Sequence, residues 1–271
     1  MALPATSELV RAGGTVLRYC FYGPPDGHPV VWHNGSPSSR WKWPTVAEAM
    51  ERSKLRVLVY DRPGYGGSTR RPGRTVADAA SDVRDLADAC GWEQFAVFGG
   101  SGGGPHALAC AALLAGRVTR CAVLSGIKPR DPGDQPQDEA SLRSQLADVA
   151  AQILAPIEAG GPEIPSEPGP PARDDPDAMS RVRATFVDSL DGWVDDSLAF
   201  AQPWGFDLAE IRVPVGVWRG SQDHLVPGDH SGHLLAHIAT AQGHVYPGGH
   251  LPGAAVYDDI HTWLAAGLVP D

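Results

Sequence analysis

Cysteine and basic residues are scarce in this sequence, and long apolar runs are absent from it. The 271 residues include four cysteines, and 22 Lys and Arg stand against 32 Asp and Glu, for a formal net charge of −10. This excess of negative charge argues against nucleic acid as a partner and disfavours an anionic membrane surface. Because no run of about 18 or more apolar residues occurs, the sequence predicts no membrane-spanning helix.

The cysteines and the N-terminal residues bear on the cellular compartment. None of Cys20, Cys90, Cys110 and Cys121 has the C-x-x-C spacing of a metal site, and each lies in or beside an apolar segment. Buried free thiols in a reducing compartment are the favoured interpretation. Residues 1–14 lack the basic-then-apolar pattern of a signal peptide. We therefore expect a cytoplasmic protein, and no residue pattern implies a metal or a cofactor.

Strand-like and helix-like segments alternate along most of the chain. The spacing of apolar residues over 75–90 predicts a helix, which Gly91 ends. Such alternation is typical of a parallel sheet that is covered by helices on both faces. After an opening strand pair, the predicted strands lie at 30–33, 56–60, 95–98, 118–124 and 213–218, with a last strand that includes Val245 and Tyr246.

Residues 129–205, here called the cap segment, break this alternation. They begin with a Pro- and Asp-rich stretch and contain two predicted helices, at 139–158 and 178–200, around a loop dense in Gly and Pro. We interpret this segment as an insertion between two strands of the core. The core then comprises residues 1–128 and 206–271.

Aromatic side chains in and beside the cap segment have two interpretations. Trp193, Phe200, Trp204 and Phe206 either line a substrate pocket from above or hold the cap segment on the core. We place Trp193 and Trp204 among the candidate pocket residues.

The most informative stretch of the chain is Gly99-Gly100-Ser101-Gly102-Gly103, which has the pattern G-x-S-x-G. It follows the predicted strand at 95–98 and precedes a predicted helix at 105–115. A serine on a sharp strand-to-helix turn is a nucleophile elbow, and glycines flank it because side chains there would collide. Glycine-rich turns also bind phosphates, but no acidic residue is well placed after this one for a dinucleotide. The pattern therefore predicts a nucleophilic serine, Ser101.

Two further motifs precede the elbow. An apolar strand ends in His33-Asn34-Gly35-Ser36-Pro37, and a second one ends in Asp61-Arg62-Pro63-Gly64-Tyr65-Gly66-Gly67-Ser68. In their order and spacing the three motifs resemble the α/β-hydrolase superfamily, most closely its single-domain bacterial esterase, perhydrolase and proline-iminopeptidase-like members. The resemblance covers nearly the whole chain and is weakest between Pro129 and Trp204. It implies an α/β fold with a mostly parallel central sheet, flanking helices and a helical cap insertion.

The resemblance also implies that the catalytic residues follow in the order serine, acid, histidine. Gly220 to Pro227 resembles the G-x-x-D-x-x-V-P turn of the family, which makes Asp223 the expected acid. His250, after two glycines and the last strand, is the expected base. Two other acids remain open, Asp229 and Asp131. Asp131 is the more serious rival, because it follows the preceding strand, where some members of the family place the acid.

The same resemblance implies an oxyanion hole formed by the N–H groups of Ser36 and Gly102. The chain departs from the family motif H-G-x-P, since Asn34 stands before the glycine and His33 lies one place earlier. We expect the Asn34 amide to brace the loop, and the Ser36 hydroxyl to be a possible third donor. His33 and Asn34 join the two tryptophans as candidate pocket residues.

Asp61 and Arg62 follow a strand and therefore lie at the carboxyl edge of the sheet, where ligands gather. A tight structural turn with an internal ion pair is the favoured interpretation of this motif over a ligand site.

The predicted function is that of a serine hydrolase that cleaves a carboxylic ester, a lactone or a thioester of a small molecule through an acyl-enzyme. Aminopeptidase or amidase, carbon–carbon hydrolase and perhydrolase activities remain open on the same three residues. So does acyl transfer to an internal hydroxyl group. An alternative of another class is a non-catalytic, ligand-binding member of the superfamily. The sequence indicates no oligomeric state.

Overall fold

A single sheet organises the chain in the computed structural model, which describes residues 2–130, 138–164 and 170–266. Its eight strands have the order β1-β2-β4-β3-β5-β6-β7-β8, in which β2 is antiparallel to both neighbours and all other pairs are parallel. The predicted mostly parallel sheet is thereby confirmed. The strands are β1 (Ser7–Val10), β2 (Val16–Tyr22), β3 (His28–His33), β4 (Leu55–Tyr60), β5 (Phe95–Gly100), β6 (Val118–Leu124), β7 (Val215–Gly220) and β8 (Ala241–Tyr246).

Helices cover both faces of this sheet. Those of the core are α1 (Pro44–Arg52), α2 (Asp78–Ala89), α3 (Gly104–Leu113), α7 (Gly228–His237) and α8 (Ala254–Ala265). Those of the cap segment are α4 (Glu139–Glu158), α5 (Pro176–Val182) and α6 (Asp191–Phe200), with a π-helical turn at Arg183–Val187. The helix predicted over 178–200 is thus divided, because the Ser189 hydroxyl accepts the N–H of Asp191 at 3.0 Å and favours a new helix start.

The central strand β5 explains why the apolar runs are continuous. Its side chains alternate between two cores, so that Phe95 and Val97 pack with Leu108 of α3, whereas Phe98 packs with Met50 of α1 on the other face. A parallel strand that is covered on both faces needs apolar residues at every position.

Two findings bear on membranes and on thiol chemistry. Within the described residues, no helix combines the length and the apolar character that crossing a membrane requires. All four cysteines are free thiols, and Cys20, Cys110 and Cys121 are buried while Cys90 is half-buried. Burial raises the pKa of Cys20 to about 12, so this thiol stays protonated and unreactive.

The turn after β5 is held in a strained conformation by contacts that only glycine permits. Ser101 has a φ of +52°, in the left-handed region that side-chain-bearing residues rarely adopt. A Cβ on Gly99 would lie 2.3 Å from the Gly103 carbonyl oxygen, and one on Gly103 would lie 2.2 Å from the His33 carbonyl oxygen. Side chains at these two glycines would therefore collide with the backbone, as the sequence predicts. The turn packs directly against the end of β3.

The cap segment packs on the core through a small apolar cluster of its own. Tyr65, from the loop after β4, lies in this cluster with Val182, Phe186 and Trp193 of the cap segment. A Cβ on Gly192 would lie 2.3 Å from the Tyr65 ring, so the ring packs against the bare backbone of α6. Trp193 therefore belongs to the contact between cap segment and core.

A buried carboxylate on α6 joins the cap segment to two loops of the core. Asp196 is fully buried and accepts hydrogen bonds from Arg62 Nε at 3.1 Å, Arg74 Nη2 at 2.6 Å and the Tyr65 hydroxyl at 3.0 Å. The Ser36 hydroxyl also donates to it. Burial opposes ionisation of Asp196, but Arg62 and Arg74 outweigh burial and hold its pKa far below the usual range.

The same Arg62 holds the loop after β3. Its guanidinium donates to the carbonyl oxygens of Asn34 and Gly35, the latter at 3.0 Å. The motif of Asp61 and Arg62 forms a tight structural turn, as the favoured interpretation has it, with the Tyr65 N–H bonded to the Arg62 carbonyl oxygen at 3.0 Å. Only the expected ion pair between Asp61 and Arg62 is wrong. Asp61 is instead paired with Arg40, and Arg62 is paired with Asp196, because successive side chains leave the chain in different directions.

We expect Asp196→Asn to lower the free energy of unfolding at neutral pH by about 3–5 kcal/mol, because two buried guanidinium groups lose their counter-charge. Asp191→Asn is the matched control on the same helix, since that carboxylate is one-third exposed and pairs with Arg143. Its cost should not exceed about 1 kcal/mol. Urea unfolding of the three proteins measures both values, and equal costs would contradict this account.

The same pair of variants gives a pH dependence. A carboxyl group whose pKa is lowered by folding stabilises the fold above its unfolded-state pKa of about 4, and this stabilisation is lost as the pH falls. The stability difference between the wild-type protein and Asp196→Asn should therefore shrink as the pH falls from about 5 to about 3. A difference that stays constant or grows over this range would contradict the assignment.

A third prediction concerns the turn after β5. Gly103→Ala should lower the free energy of unfolding by about 1–3 kcal/mol or more, because its Cβ would overlap the backbone of β3. Gly116→Ala is the control, since no atom outside its chain neighbours lies within 4 Å of that Cβ position. Its effect should stay within about 0.5 kcal/mol. Thermal unfolding separates the two, and tolerance of both substitutions would be inconsistent with the close packing.

Candidate active site

The loops after β7 and β8 bring an acid and a histidine together. His250 Nδ1 donates to Asp223 Oδ2 at 2.9 Å, across 27 residues of chain. The other carboxylate oxygen accepts the N–H groups of Leu225 at 3.0 Å and Val226 at 2.9 Å. These backbone bonds fix the carboxylate, so the bond to Nδ1 leaves Nε2 as the ring nitrogen that is free to accept a proton.

The surroundings of Asp223 favour its ionised form. Burial raises the pKa of this carboxyl, but hydrogen bonds from the Val226 N–H, His250 and the Ser125 hydroxyl outweigh burial and hold the pKa below its usual value. An ionised carboxylate at this position stabilises a protonated imidazole ring. Of the two rival acids, Asp229 is largely exposed and lies 3.8 Å from Lys128 Nζ, and Asp131 lies outside the described residues.

Ser101 and His250 line the same cavity, which has a volume of about 580 Å³. The hydrogen bonds of the described residues do not include one between the Ser101 hydroxyl and the His250 ring. Such bonds in hydrolases are often long before the substrate binds and tighten in the complex.

The loop after β3 lies directly beside the serine. A Cβ on Gly35 would lie 3.6 Å from Ser101 Cβ, and one on Gly102 would lie 2.6 Å from Ser36 Oγ. Because the Gly35 carbonyl points at Arg62, the N–H of Ser36 in the same planar trans peptide points the opposite way. Gly102 is the second residue of a short helical turn that begins at Ser101, and the first N–H groups of a helix have no partner within it. Both N–H groups are therefore available to an oxyanion.

The Ser36 hydroxyl has a different role from the one expected. It donates to Asp196 and accepts from Arg62 Nη2 at 2.9 Å. The expectation of a third oxyanion donor is therefore wrong, since this proton is already committed to a buried carboxylate.

Asn34 braces the loop through its amide. Its Nδ2 donates to the Tyr60 carbonyl oxygen at 2.9 Å, and its Oδ1 accepts from Lys42 Nζ. His33 is fully buried and hydrogen-bonds with the Tyr60 hydroxyl at 3.2 Å, and burial lowers its pKa to about 3, so its ring is neutral. Contrary to prediction, neither Asn34 nor His33 lines the cavity.

The two tryptophans predicted for the pocket do not line the cavity either. Trp193 lies with Tyr65 in the apolar cluster through which the cap segment packs on the core. Trp204 packs into the main core, where its ring centroid is 6.0 Å from that of Phe206. Both side chains therefore secure the cap segment. The apolar and aromatic wall of the cavity is formed instead by Trp32, Trp41, Trp43, Phe98, Ile153, Ile157, Val182, Phe186 and Tyr257.

Three residues make contacts at or beside the site that were not predicted from the sequence. They are Lys42, Asp196, and Arg62 in its role of holding the loop after β3. Asp196 carried a usable signal, because an acid among buried residues of a helix requires a buried counter-charge. Lys42 stands between two tryptophans, which is a weaker signal of a partly buried cation.

Comparisons with known proteins find relatives over most of the chain. A family model described as alpha/beta hydrolase fold matches residues 28–157. A non-heme chloroperoxidase of Streptomyces lividans is 28% identical over 242 residues, which are 81% of this chain and 83% of the relative. A bifunctional esterase/perhydrolase of Acinetobacter calcoaceticus is 26% identical over 235 residues, which are 83% and 85% of the two chains.

Solved structures extend the match to the whole fold. The crystal structure of an enol-lactonase from Burkholderia xenovorans superposes with a TM-score of 0.72 at 22% identity, and the match covers 96% of this chain and 99% of that one. The strand order, the strained turn after β5 and these comparisons lead to one conclusion: the chain has the α/β-hydrolase fold.

Proposed function

We propose that this protein is a serine hydrolase that cleaves a carboxylic ester of a small molecule through an acyl-enzyme on Ser101. The observation that carries the proposal is the placement of the strained serine and the hydrogen-bonded His250–Asp223 pair on one cavity. A serine hydroxyl needs a neighbouring base, and the base needs a fixed carboxylate. The cap segment forms the roof of the cavity and takes part in substrate selection.

In the first half-reaction, Ser101 Oγ attacks the ester carbonyl carbon while His250 Nε2 accepts the hydroxyl proton. The carbonyl oxygen becomes an oxyanion, which the N–H groups of Ser36 and Gly102 stabilise. Collapse of this tetrahedral intermediate breaks the bond to the alcohol oxygen. His250 gives its proton to the departing alcohol, and the acyl group stays on Ser101.

In the second half-reaction, water attacks the acyl-enzyme while His250 accepts one of its protons. The same two N–H groups stabilise the second oxyanion. Its collapse releases the carboxylic acid and returns the proton from His250 to Ser101. Asp223 stays ionised throughout and stabilises the protonated ring of His250.

A second candidate activity uses hydrogen peroxide in place of water as the acyl acceptor. Two relatives that match over four-fifths of the chain, a chloroperoxidase and an esterase/perhydrolase, favour this candidate. It needs no other residues, because the peroxide attacks the same acyl-enzyme and the product is a peracid. Peracid formation during ester turnover in added peroxide tests it, and acid as the sole product would contradict it.

Labelling by a fluorophosphonate tests the proposed nucleophile. Intact mass and peptide mapping should find one adduct, on Ser101, because only an activated serine reacts with this probe. Asp223→Asn should lower kcat for ester hydrolysis by about 10⁴-fold, since the base loses its orienting carboxylate. His250→Ala should abolish labelling.

The matched control is His224→Ala, which removes an exposed histidine directly beside the acid. It should label and turn over like the wild-type protein. No adduct on the wild-type protein would refute the proposal and favour a ligand-binding member of the superfamily. An adduct that persists in His250→Ala would contradict the role of His250 as the base.

A further inference from the structure

The wall of the cavity that carries Ser101 also carries a cation, Lys42. The Lys42 ammonium group donates to Asn34 Oδ1 and, at 3.3 Å, to the Ser38 hydroxyl. Both partners are neutral. Because an ammonium group has three N–H donors, one remains for another acceptor.

Within the described part of the chain, no carboxylate lies within salt-bridge distance of Lys42 Nζ. Asp61, the acid that most favours its charged form, is held by the Arg40 side chain and, at 2.6 Å, by the Arg40 N–H. Burial lowers the pKa of Lys42 to about 7, and nearby Arg62 adds to this effect. A negatively charged acceptor would raise the pKa of Lys42 again, because it would offset the effects of burial and of Arg62.

The other charged residues that line the cavity compensate each other. Arg181 donates to Glu163 through Nε at 2.9 Å and Nη2 at 2.6 Å, so this pair is neutral as a whole. His250 is paired with Asp223. Among the described lining residues, Lys42 is thus the cation left without an anion, in a wall that is otherwise rich in aromatic side chains.

We propose that Lys42 binds a carboxylate of the substrate, and that the preferred substrates are esters or lactones which carry a second, ionised carboxyl group on an apolar body. This inference rests on the proposed function and names its substrate class. The carboxylate would fill the third donor position of the ammonium group and supply its missing counter-charge. A charge-assisted hydrogen bond in a desolvated wall is stronger than the same bond in water.

The preference for a carboxylate should depend on pH. The groups around Lys42 are the neutral Asn34 and Ser38, the Asp61–Arg40 pair, Arg62, and two groups from β2. The latter are the Cys20 thiol and the Tyr22 hydroxyl, and burial raises the pKa of both, so they stay uncharged near neutral pH.

Because Lys42 binds an anion only as an ammonium group, the preference should be present below about pH 7 and weaken above it. A bound carboxylate raises the pKa of Lys42 and extends the range upwards. Both esters depend on the same base, His250, so a ratio of the two esters isolates the contribution of Lys42.

The test compares two para-nitrophenyl esters of the same chain length, the hemi-ester of adipic acid and its terminal carboxamide analogue. The wild-type protein should favour the carboxylate in kcat/KM by about 10-fold or more near pH 6. Lys42→Met should reduce this ratio to about one. Lys54→Met removes the same charge from an exposed site and should leave the ratio unchanged.

Two outcomes would overturn the inference. One is a wild-type kcat/KM ratio near one, and the other is an equal loss of kcat/KM for both esters in Lys42→Met. The second would mean that Lys42 only braces Asn34. Calorimetry of both esters on Ser101→Ala measures the same preference as a ratio of dissociation constants without turnover. A carboxylate preference in binding, with no hydrolysis by the wild-type protein, would therefore refute the proposed function and retain the Lys42 site.

Discussion

The arrangement of the site depends on a buried arginine that binds two parts of the molecule at once. The guanidinium of Arg62 is held between the carbonyls of Asn34 and Gly35 on one side and the Asp196 carboxylate on the other. Carbonyls that point at Arg62 leave the Ser36 N–H directed away from it. A surface ion pair would not hold a peptide plane in this way, because water competes for both partners. Loop and cap segment are therefore coupled through one side chain.

Most of the fold and the main candidates for the chemistry could be predicted from local patterns. The strands were predicted because burial on both faces demands continuous apolar runs, and the turn at Ser101 because its strain demands glycines. The ion pair between Arg62 and Asp196 could not be predicted from local patterns. The two residues are 134 positions apart in the chain, and only the position of the cap segment brings them together. The roles of Trp193 and Trp204 were equally beyond local patterns, because a tryptophan packs as well in a core as in a pocket wall.

The two sides of the cavity make different contributions. The core side holds Ser101, His250 and the two N–H groups on the ends of parallel strands, where backbone hydrogen bonds and close packing fix them. The cap side contributes apolar residues of α4 and α5 and a neutral ion pair. Lys42 stands on the core side and donates to the Asn34 that braces the loop, so recognition of a substrate anion would occur beside the proposed oxyanion hole.

We propose that Ser101, the N–H groups of Ser36 and Gly102, and the His250–Asp223 pair form one catalytic centre. A crystal structure of the protein after reaction with a phosphonate inhibitor would test this arrangement. We expect a bond from Ser101 Oγ to phosphorus, with the phosphoryl oxygen about 2.7–3.1 Å from both N–H nitrogens. A phosphonate on another residue, or a phosphoryl oxygen directed away from Ser36 and Gly102, would contradict it.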